Sequence, residues 1–275
     1  MRAVAVCFSA TIAAAAVLSA AEREPRPQAP RINVGGIVNA ATSRPAPDNF
    51  ISPGALVSIY GTGLAKVTRT VLPSDVVNGF LPIELGNVSV FFGQVQAPLL
   101  FVSPLQINAQ APIDIRPGEW LVRVRVQTLE GSEKVLLKDY SPGLFLPFRH
   151  CDGAPVARET PARPGEIILF FGTGFGQTAP PIFSGQFAPQ KPIPLDPRTS
   201  LEATIGGIPL AADDILFAGL APGYAGLYQF NLRVPTSAPS GDLEVSMKVG
   251  EEWTPPGLRI AVEGPPAEVG CPDKS

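Results

Sequence analysis

The sequence predicts an all-β protein built from two similar β-sandwiches in tandem. Three observations lead there: the composition, the period-two alternation of apolar residues, and an internal repeat. The chain has 275 residues, of which 32 are Pro and 27 are Gly. Pro and Gly at this density interrupt helices and favour short strands joined by turns. Hydrophobic residues make up 45% of the chain, which suits a folded core and argues against disorder.

Residues 1–21 are predicted to be a signal peptide. Arg2 precedes an apolar run, and the small residues Ser19 and Ala21 fit a cleavage site. The alternative is a transmembrane anchor, but the run is barely long enough to span a bilayer and is rich in alanine. We therefore expect a secreted protein, extracellular or periplasmic, with no membrane span after cleavage and a linker over residues 22–31.

The two halves of the chain contain the same strand-and-turn phrase. Pro53-Gly54 begins "PGALVSIYGTGLA" in the first half, and Pro164-Gly165 begins "PGEIILFFGTGFG" 111 residues later. Two longer stretches repeat as well: residues 85–112 match 201–235, and residues 116–126 match 239–249.

The period of the repeat fixes the expected domain size. About 110–120 residues is too long for a solenoid unit or a propeller blade and is the size of a whole β-sandwich. We expect a first domain over residues 32–145, a second over 146–263, and a C-terminal tail over 264–275.

Period-two alternation supports the strands independently of the repeat. In "EWLVRVRVQ", Trp120 and three valines point one way while Leu121 and two arginines point the other. The segments "DLEVSMKVG" and "GLRIAVE" alternate in the same manner. This pattern is typical of strands with one solvated face. The apolar run at 167–171 indicates a central strand instead.

The Gly-Thr-Gly motifs are interpreted as structural turns. Glycine adopts positive φ at little steric cost, so each motif is expected to reverse or bulge the chain after its strand. A Gly-x-Gly opening a dinucleotide site is the alternative, but no convincing helix follows either motif, so no cofactor is predicted. The turn residues are Gly61, Gly63, Gly172 and Gly174.

The strand followed by "GTGL" or "GTGF" resembles the immunoglobulin-like TIG/IPT domains. "INVGGIVNAA", "FVSPLQINAQAP" and "LFAGLAPGYAGLYQFNLRVP" resemble more closely an uncharacterised domain family abundant in secreted proteins of acidobacteria. The resemblance covers roughly residues 32–262 and implies two tandem immunoglobulin-like β-sandwiches. That family has no established activity, so the resemblance implies no catalytic residues.

The cysteines predict one disulfide. Cys7 leaves with the signal peptide, so Cys151 and Cys271 are the two mature cysteines, and export favours oxidation. In an immunoglobulin-like topology the first and last strands can run side by side, which lets the tail bring Cys271 back to Cys151. A free thiol on a frayed tail and a bridge to another molecule are the alternatives.

Candidate chemistry is sparse. The single histidine, His150, adjoins Cys151, but neighbouring residues in a strand point opposite ways, so a position in the inter-domain connection is the preferred interpretation. We predict no catalytic, metal-binding or cofactor-binding residue, and no enzyme activity. The mature chain carries 20 basic and 24 acidic residues without a basic cluster, which argues against nucleic acid as a partner.

Exposed aromatic residues give the one candidate ligand surface. Trp120 and Tyr228 lie in apolar strand patterns and are expected in the cores, whereas Tyr224 and Trp253 lie in Gly- and Pro-rich turns. The sequence therefore predicts a secreted, non-catalytic protein for adhesion, scaffolding or surface presentation. A carbohydrate-binding module is the alternative and an extracellular hydrolase the third hypothesis. The expected partner is a surface protein or a polysaccharide.

Overall fold

The computed structural model describes residues 28–267, which are folded almost entirely as antiparallel β-strands. Two short 3-10 helices, Pro73–Asp75 and Ala212–Asp214, interrupt the loops of this range. Between residues 28 and 267 we find no helix with the length and hydrophobicity needed to cross a bilayer. The predicted signal peptide, most of the linker at 22–31 and Cys271 lie outside the described residues.

The first domain is a sandwich of two antiparallel sheets. One sheet has the order β1-β2-β7-β6-β3 and the other β5-β4-β8-β9. The strands are β1 (Arg31–Asn39), β2 (Leu56–Thr62), β3 (Arg69–Thr70), β4 (Val88–Phe92), β5 (Val95–Ala97), β6 (Leu99–Val102), β7 (Gln106–Gln110), β8 (Gly118–Val126) and β9 (Leu129–Leu137).

The second domain repeats this arrangement. One sheet has the order β10-β12-β17-β16-β13, with β11 also on β12, and the other β15-β14-β18-β19, with β20 also on β18. The strands are β10 (Gly143–Leu144), β11 (Phe148–Arg149), β12 (Ile167–Thr173), β13 (Ile193–Pro194), β14 (Leu201–Ile205), β15 (Ile208–Pro209), β16 (Ile215–Leu220), β17 (Tyr228–Arg233), β18 (Gly241–Val249), β19 (Glu252–Trp253) and β20 (Arg259–Val262).

The strand order is that of the immunoglobulin fold. In the first domain β1, β2, β7 and β6 occupy the A, B, E and D positions of one sheet, and β4, β8 and β9 the C, F and G positions of the other. The chain ahead of each B strand also forms a parallel bridge to the last strand, at Ile51–Leu137 in the first domain and at Ala162–Val262 in the second. The predicted fold class, two tandem immunoglobulin-like β-sandwiches, is confirmed.

Each sandwich has its own hydrophobic core. Fully buried residues of the first include Ile59 and Phe92, and those of the second include Phe170 and Phe230. Leu64 and Phe175, which follow the two Gly-Thr-Gly motifs, are both fully buried in their respective cores. The short apolar side chain in one repeat and the aromatic ring in the other thus close the same end of each sandwich.

The repeat holds at the level of single hydrogen bonds. Gln106 Nε2 donates to Asn108 Oδ1 at 2.8 Å on β7, and Gln229 Nε2 donates to Asn231 Oδ1 at 2.8 Å on β17. The register of the neighbouring strand shifts just before Phe101 in the first domain and just before Phe217 in the second. Both phenylalanines then pair with the asparagine of the motif.

The two glycines of each Gly-Thr-Gly motif serve different purposes. Gly63 and Gly174 have φ of 65° and 83°, so each lies in the left-handed region where glycine is favoured. Gly61 and Gly172 do not turn the chain, contrary to the expectation for them, because they belong to β2 and β12. They are small because a neighbouring strand passes close: a Cβ on Gly61 would lie 2.1 Å from the carbonyl oxygen of Arg31.

The chain changes from one sandwich to the other over residues 138–142. β9 ends at Leu137 and β10, the first strand of the second domain, begins at Gly143. His150 therefore lies in a turn of the second domain after β11 and not in the inter-domain connection, because β11 is already paired with β12. Cys151 lies in the same turn, and its predicted partner Cys271 is outside the described residues.

Candidate functional site between the domains

Buried side chains fasten the two domains to each other. The Thr173 hydroxyl, fully buried at the end of β12, accepts a hydrogen bond from the Leu56 N–H of the first domain at 2.8 Å. The same hydroxyl donates to the Gly226 carbonyl at 2.9 Å. Thr173 thus satisfies one backbone group on each side of the junction. Rotation of the first domain away would break the bond to Leu56, while the bond to Gly226 lies within the second domain.

Gln110 forms a second link, from the first domain outward. Its Nε2 donates to the Gly54 carbonyl at 3.1 Å, and its Oε1 accepts from the Gly185 N–H at 2.6 Å. The loop that carries Gly185 continues along the first domain, where the Leu81 N–H donates to the Gly185 carbonyl at 2.9 Å. The Ser184 hydroxyl accepts from the Ile113 N–H at 2.8 Å. A loop of the second domain is therefore docked on the first by both backbone and side-chain bonds.

The connecting segment is held as firmly as the domains. The Ser141 N–H donates to the Gly174 carbonyl at 2.9 Å, and the Ser141 carbonyl accepts from Asn39 Nδ2 at 2.6 Å. The hydroxyls of Ser141 and Ser52 are 2.9 Å apart, and both residues are buried. The inter-domain linker at residues 138–142 is thus bonded to both domains and forms part of the junction.

A groove of about 740 Å³ opens beside this junction. The loop between β7 and β8 forms one wall with Ile113, Asp114 and Arg116. Two loops of the second domain form another wall. They contribute Thr178, Pro181, Ile182, Phe183, Asp196, Arg198 and Thr199. The linker residues Asp139 and Tyr140 also line it. The groove exists only because the two domains meet at this angle.

Tyr140 is wedged between two glycines of the second domain. A Cβ on Gly176 would lie 2.5 Å from one edge of the Tyr140 ring, and a Cβ on Gly250 would lie 2.6 Å from the other edge. The ring also packs against the second core. Below it, the buried Tyr228 hydroxyl donates to the Gly176 carbonyl, and burial raises the pKa of Tyr228 above its ordinary value. The Tyr140 ring is therefore fixed in place at the groove wall.

The charges of the groove nearly cancel. Arg198 holds Asp196 with side-chain hydrogen bonds of 2.9 and 2.5 Å, and these bonds lower the pKa of Asp196 to about 2. Arg116, Asp114 and Asp139 are exposed and form no ion pair with any residue of the described part. No three His, Cys, Asp or Glu side chains between residues 28 and 267 are grouped so that they could hold a metal ion.

The two aromatic residues singled out from the sequence lie elsewhere. Tyr224 is 57% exposed and Trp253 is 48% exposed, but neither lines the groove. Trp253 borders a smaller hollow on the junction, next to the Lys138–Glu252 ion pair of 2.8 Å that also joins the domains. The two rings do not share one hollow, so Tyr224 and Trp253 stay separate candidate contacts.

Comparison with known proteins adds little to this geometry. No protein-family model matches the chain, and no curated protein matches it in sequence. A Bacteroides ovatus surface glycan-binding protein, SGBP-B of a mixed-linkage glucan utilization locus in complex with a heptasaccharide, is 12% identical with a TM-score of 0.33. That comparison covers 78% of this chain and less than half, 42%, of the other.

Two fragments of titin are similar at the same remote level. The I-band fragment I67–I69 is 7% identical with a TM-score of 0.23, covering 86% of this chain and 66% of the fragment. The tandem A164–A165 is 10% identical with a TM-score of 0.20, covering 78% and 90%. These similarities are too remote to transfer a function. The resemblance to TIG/IPT domains and to the acidobacterial family stays a prediction.

Proposed function

We propose that this chain is a secreted, non-catalytic binding protein whose two immunoglobulin-like domains act as one rigid adhesion or scaffolding unit. The observation that carries the proposal is the junction. Domains joined by a flexible linker move independently unless their interface is extensive. Here the side chains of Thr173 and Gln110 are buried and bonded to backbone groups across the junction. The buried Ser141 of the connecting segment is bonded to Asn39 of the first domain and to Gly174 of the second.

Rigidity follows from the cost of parting these groups. A hydrogen bond between protein groups contributes about 0.5–1.5 kcal/mol net, and opening the junction would exchange several of them for water at once. A fixed angle is useful to a protein that presents a surface at a set distance and direction. The predicted signal peptide and the mildly acidic mature chain fit work outside the cell at a protein or polysaccharide surface.

Carbohydrate binding is the second candidate, and the groove is the observation that favours it. A fixed tyrosine ring, the exposed ring of Phe183 and several polar side chains line the same hollow. Tyr224 and Trp253 are exposed rings on other parts of the surface and do not line this hollow.

The test is a sedimentation assay with the mature chain, residues 22–275, on cell envelopes and on insoluble polysaccharides. We expect saturable binding without release of soluble product. Thr173→Val, which loosens the junction, should weaken binding, while Thr62→Val at the equivalent exposed position should not. Release of soluble sugars or peptides, or the absence of saturable binding to every fraction, would contradict the proposal.

A further inference from the structure

The groove between the domains has the construction of a ligand site. Its volume of about 740 Å³ falls within the roughly 300–1,000 Å³ typical of such sites. Its walls come from the first domain, the linker and the second domain, all of which the junction holds in place. A site formed in this way is present before a ligand arrives, so binding does not have to order it.

The chain departs from its own repeat where the Tyr140 ring needs space. The turn after β8 holds Gln127 with φ of 58°, and the equivalent turn after β18 holds Gly250 with φ of 57°. The left-handed conformation therefore does not require glycine there, since a glutamine adopts it in the first domain. Glycine is required because the Tyr140 ring lies 2.6 Å from the Cβ position.

Gly176 lies against the other edge of the Tyr140 ring. The first domain has the buried Ala65 at the equivalent place, two residues after the Gly-Thr-Gly motif. In the second domain a Cβ there would lie 2.5 Å from the Tyr140 ring. Gly176 also has φ of 95°, which by itself favours glycine. Gly250 is therefore the difference between the repeats that Tyr140 alone explains, and Tyr140 lines the groove.

The polar groups of the groove select the kind of ligand. Asp196 and Arg198 neutralise each other, which leaves Arg116 against Asp114 and Asp139 on exposed positions. A strongly anionic or cationic ligand would meet a like charge. A neutral hydroxylated ligand can donate to the carboxylates and accept from the guanidinium and the threonine hydroxyls.

The apolar part of the lining fits the same class. Ile113, Pro181 and the exposed Phe183 line the same groove as the fixed Tyr140 ring. Sugar rings combine C–H faces that pack on aromatic and aliphatic side chains with hydroxyl edges that hydrogen-bond. We propose that the inter-domain groove binds a neutral oligosaccharide segment, with Tyr140 and Phe183 as packing residues and Arg116 as a hydrogen-bond donor. This inference rests on the proposed non-catalytic binding role.

The experiment is affinity electrophoresis of the mature chain. The gels contain mixed-linkage β-glucan, xyloglucan or galactomannan as neutral polymers, polygalacturonate as an acidic one, and a proline-rich peptide conjugate as a non-carbohydrate probe. We expect retardation by at least one neutral polymer. Phe183→Ala and Arg116→Ala, both at exposed positions, should each weaken it about threefold to tenfold.

Matched variants make the test specific. Gly250→Gln, which installs the residue of the first domain, should displace the Tyr140 ring and weaken binding, whereas Gln127→Gly should not. Tyr224→Ala and Trp253→Ala should bind as the unmodified chain does. Folding of every variant is checked by circular dichroism.

Several results would overturn the groove proposal. They are retardation by no neutral polymer, retardation by polygalacturonate or the peptide alone, and loss of binding in Tyr224→Ala or Trp253→Ala with the groove variants unaffected. If the chain still binds envelopes saturably in the sedimentation assay while the groove variants change nothing, the adhesion role stands and the groove proposal fails.

Discussion

The same motif lies in solvent in one domain and in the junction in the other. Thr62 of the first Gly-Thr-Gly motif is exposed, whereas Thr173 of the second is fully buried and bridges the domains. The reason is the head-to-tail order of the chain. The Pro-Gly end of the first domain meets the Gly-Thr-Gly end of the second. The two Gly-Thr-Gly motifs therefore have the same local structure but different surroundings.

The opposite ends complete the comparison. Within residues 28–267 no further domain packs on the Gly-Thr-Gly end of the first domain, and the chain's own C-terminal segment reaches the Pro-Gly end of the second domain. There the Ala267 N–H donates to the carbonyl of Pro164, the residue before Gly165, at 2.7 Å. One end of the repeat thus meets a neighbouring domain in the first copy and its own tail in the second.

The largest expected difference between the domains is the predicted Cys151–Cys271 disulfide. The first domain contains no cysteine, while the bridge would close a loop of about 120 residues in the second and stabilise it by about 4–5 kcal/mol. Ala267 is hydrogen-bonded to Pro164, and Arg149 pairs with Ile168. The segments that lead to Cys271 and to Cys151 therefore lie at the same end of the second domain. Four residues from Ala267 reach at most about 14 Å.

Each domain has one tryptophan, which lets reduction be followed in both. Trp120 reports on the first domain and Trp253 on the second, so Trp253→Phe and Trp120→Phe isolate the two signals. Reductant should shift the urea midpoint of the Trp253 signal and leave that of Trp120 nearly unchanged. Non-reducing mass spectrometry that finds two unmodified thiols, or a cross-linked dimer, would refute the intramolecular bridge.

The second expected difference is between Gly174 and Gly63. Both have positive φ, but a Cβ on Gly174 would lie 2.1 Å from the Ser141 carbonyl oxygen, while one on Gly63 meets nothing closer than 3.8 Å. Gly63→Ala should cost about 1 kcal/mol from backbone strain alone. Gly174→Ala should cost about 3 kcal/mol, because the linker must also move. Equal losses in urea unfolding would show that contact with the linker is unimportant.

The third difference is between Thr173 and Thr62. Thr173→Val removes the hydroxyl that serves Leu56 and Gly226 and should cost about 1–3 kcal/mol, whereas Thr62→Val should be close to neutral. Backbone ¹⁵N relaxation provides the decisive measurement. The unmodified chain and Thr62→Val should tumble as one body, and Thr173→Val should give the two domains separate correlation times. Independent tumbling in the unmodified chain would remove the basis for a rigid unit.

Local sequence predicted the parts of the molecule that depend on local structure. β2 and β12 occupy equivalent places in the two copies of the phrase, because Pro-Gly, the apolar run and the turn act within about ten residues. The reason for Gly61 and Gly172 was missed, since it lies in a strand distant in sequence. The groove was missed because it depends on how loops of one domain dock on the other. One signal in the sequence pointed to it: Gly176 and Gly250 stand where the first repeat has Ala65 and Gln127.

The smallest expected effect concerns Asp196 and Arg198 in the wall of the groove. Side-chain hydrogen bonds from Arg198 lower the pKa of Asp196 to about 2, below its ordinary value near 4. A carboxyl whose pKa is lower in the folded state contributes stability above the unfolded pKa and loses it as the pH falls through the folded one. The contribution of this pair to stability should therefore be constant between pH 5 and 8, and it should fade from about pH 4 down to pH 2. Carbon-detected NMR should place the Asp196 titration near pH 2, and Arg198→Gln should move it to near pH 4. Titration near pH 4 in the unmodified chain would show that the pair does not form in solution.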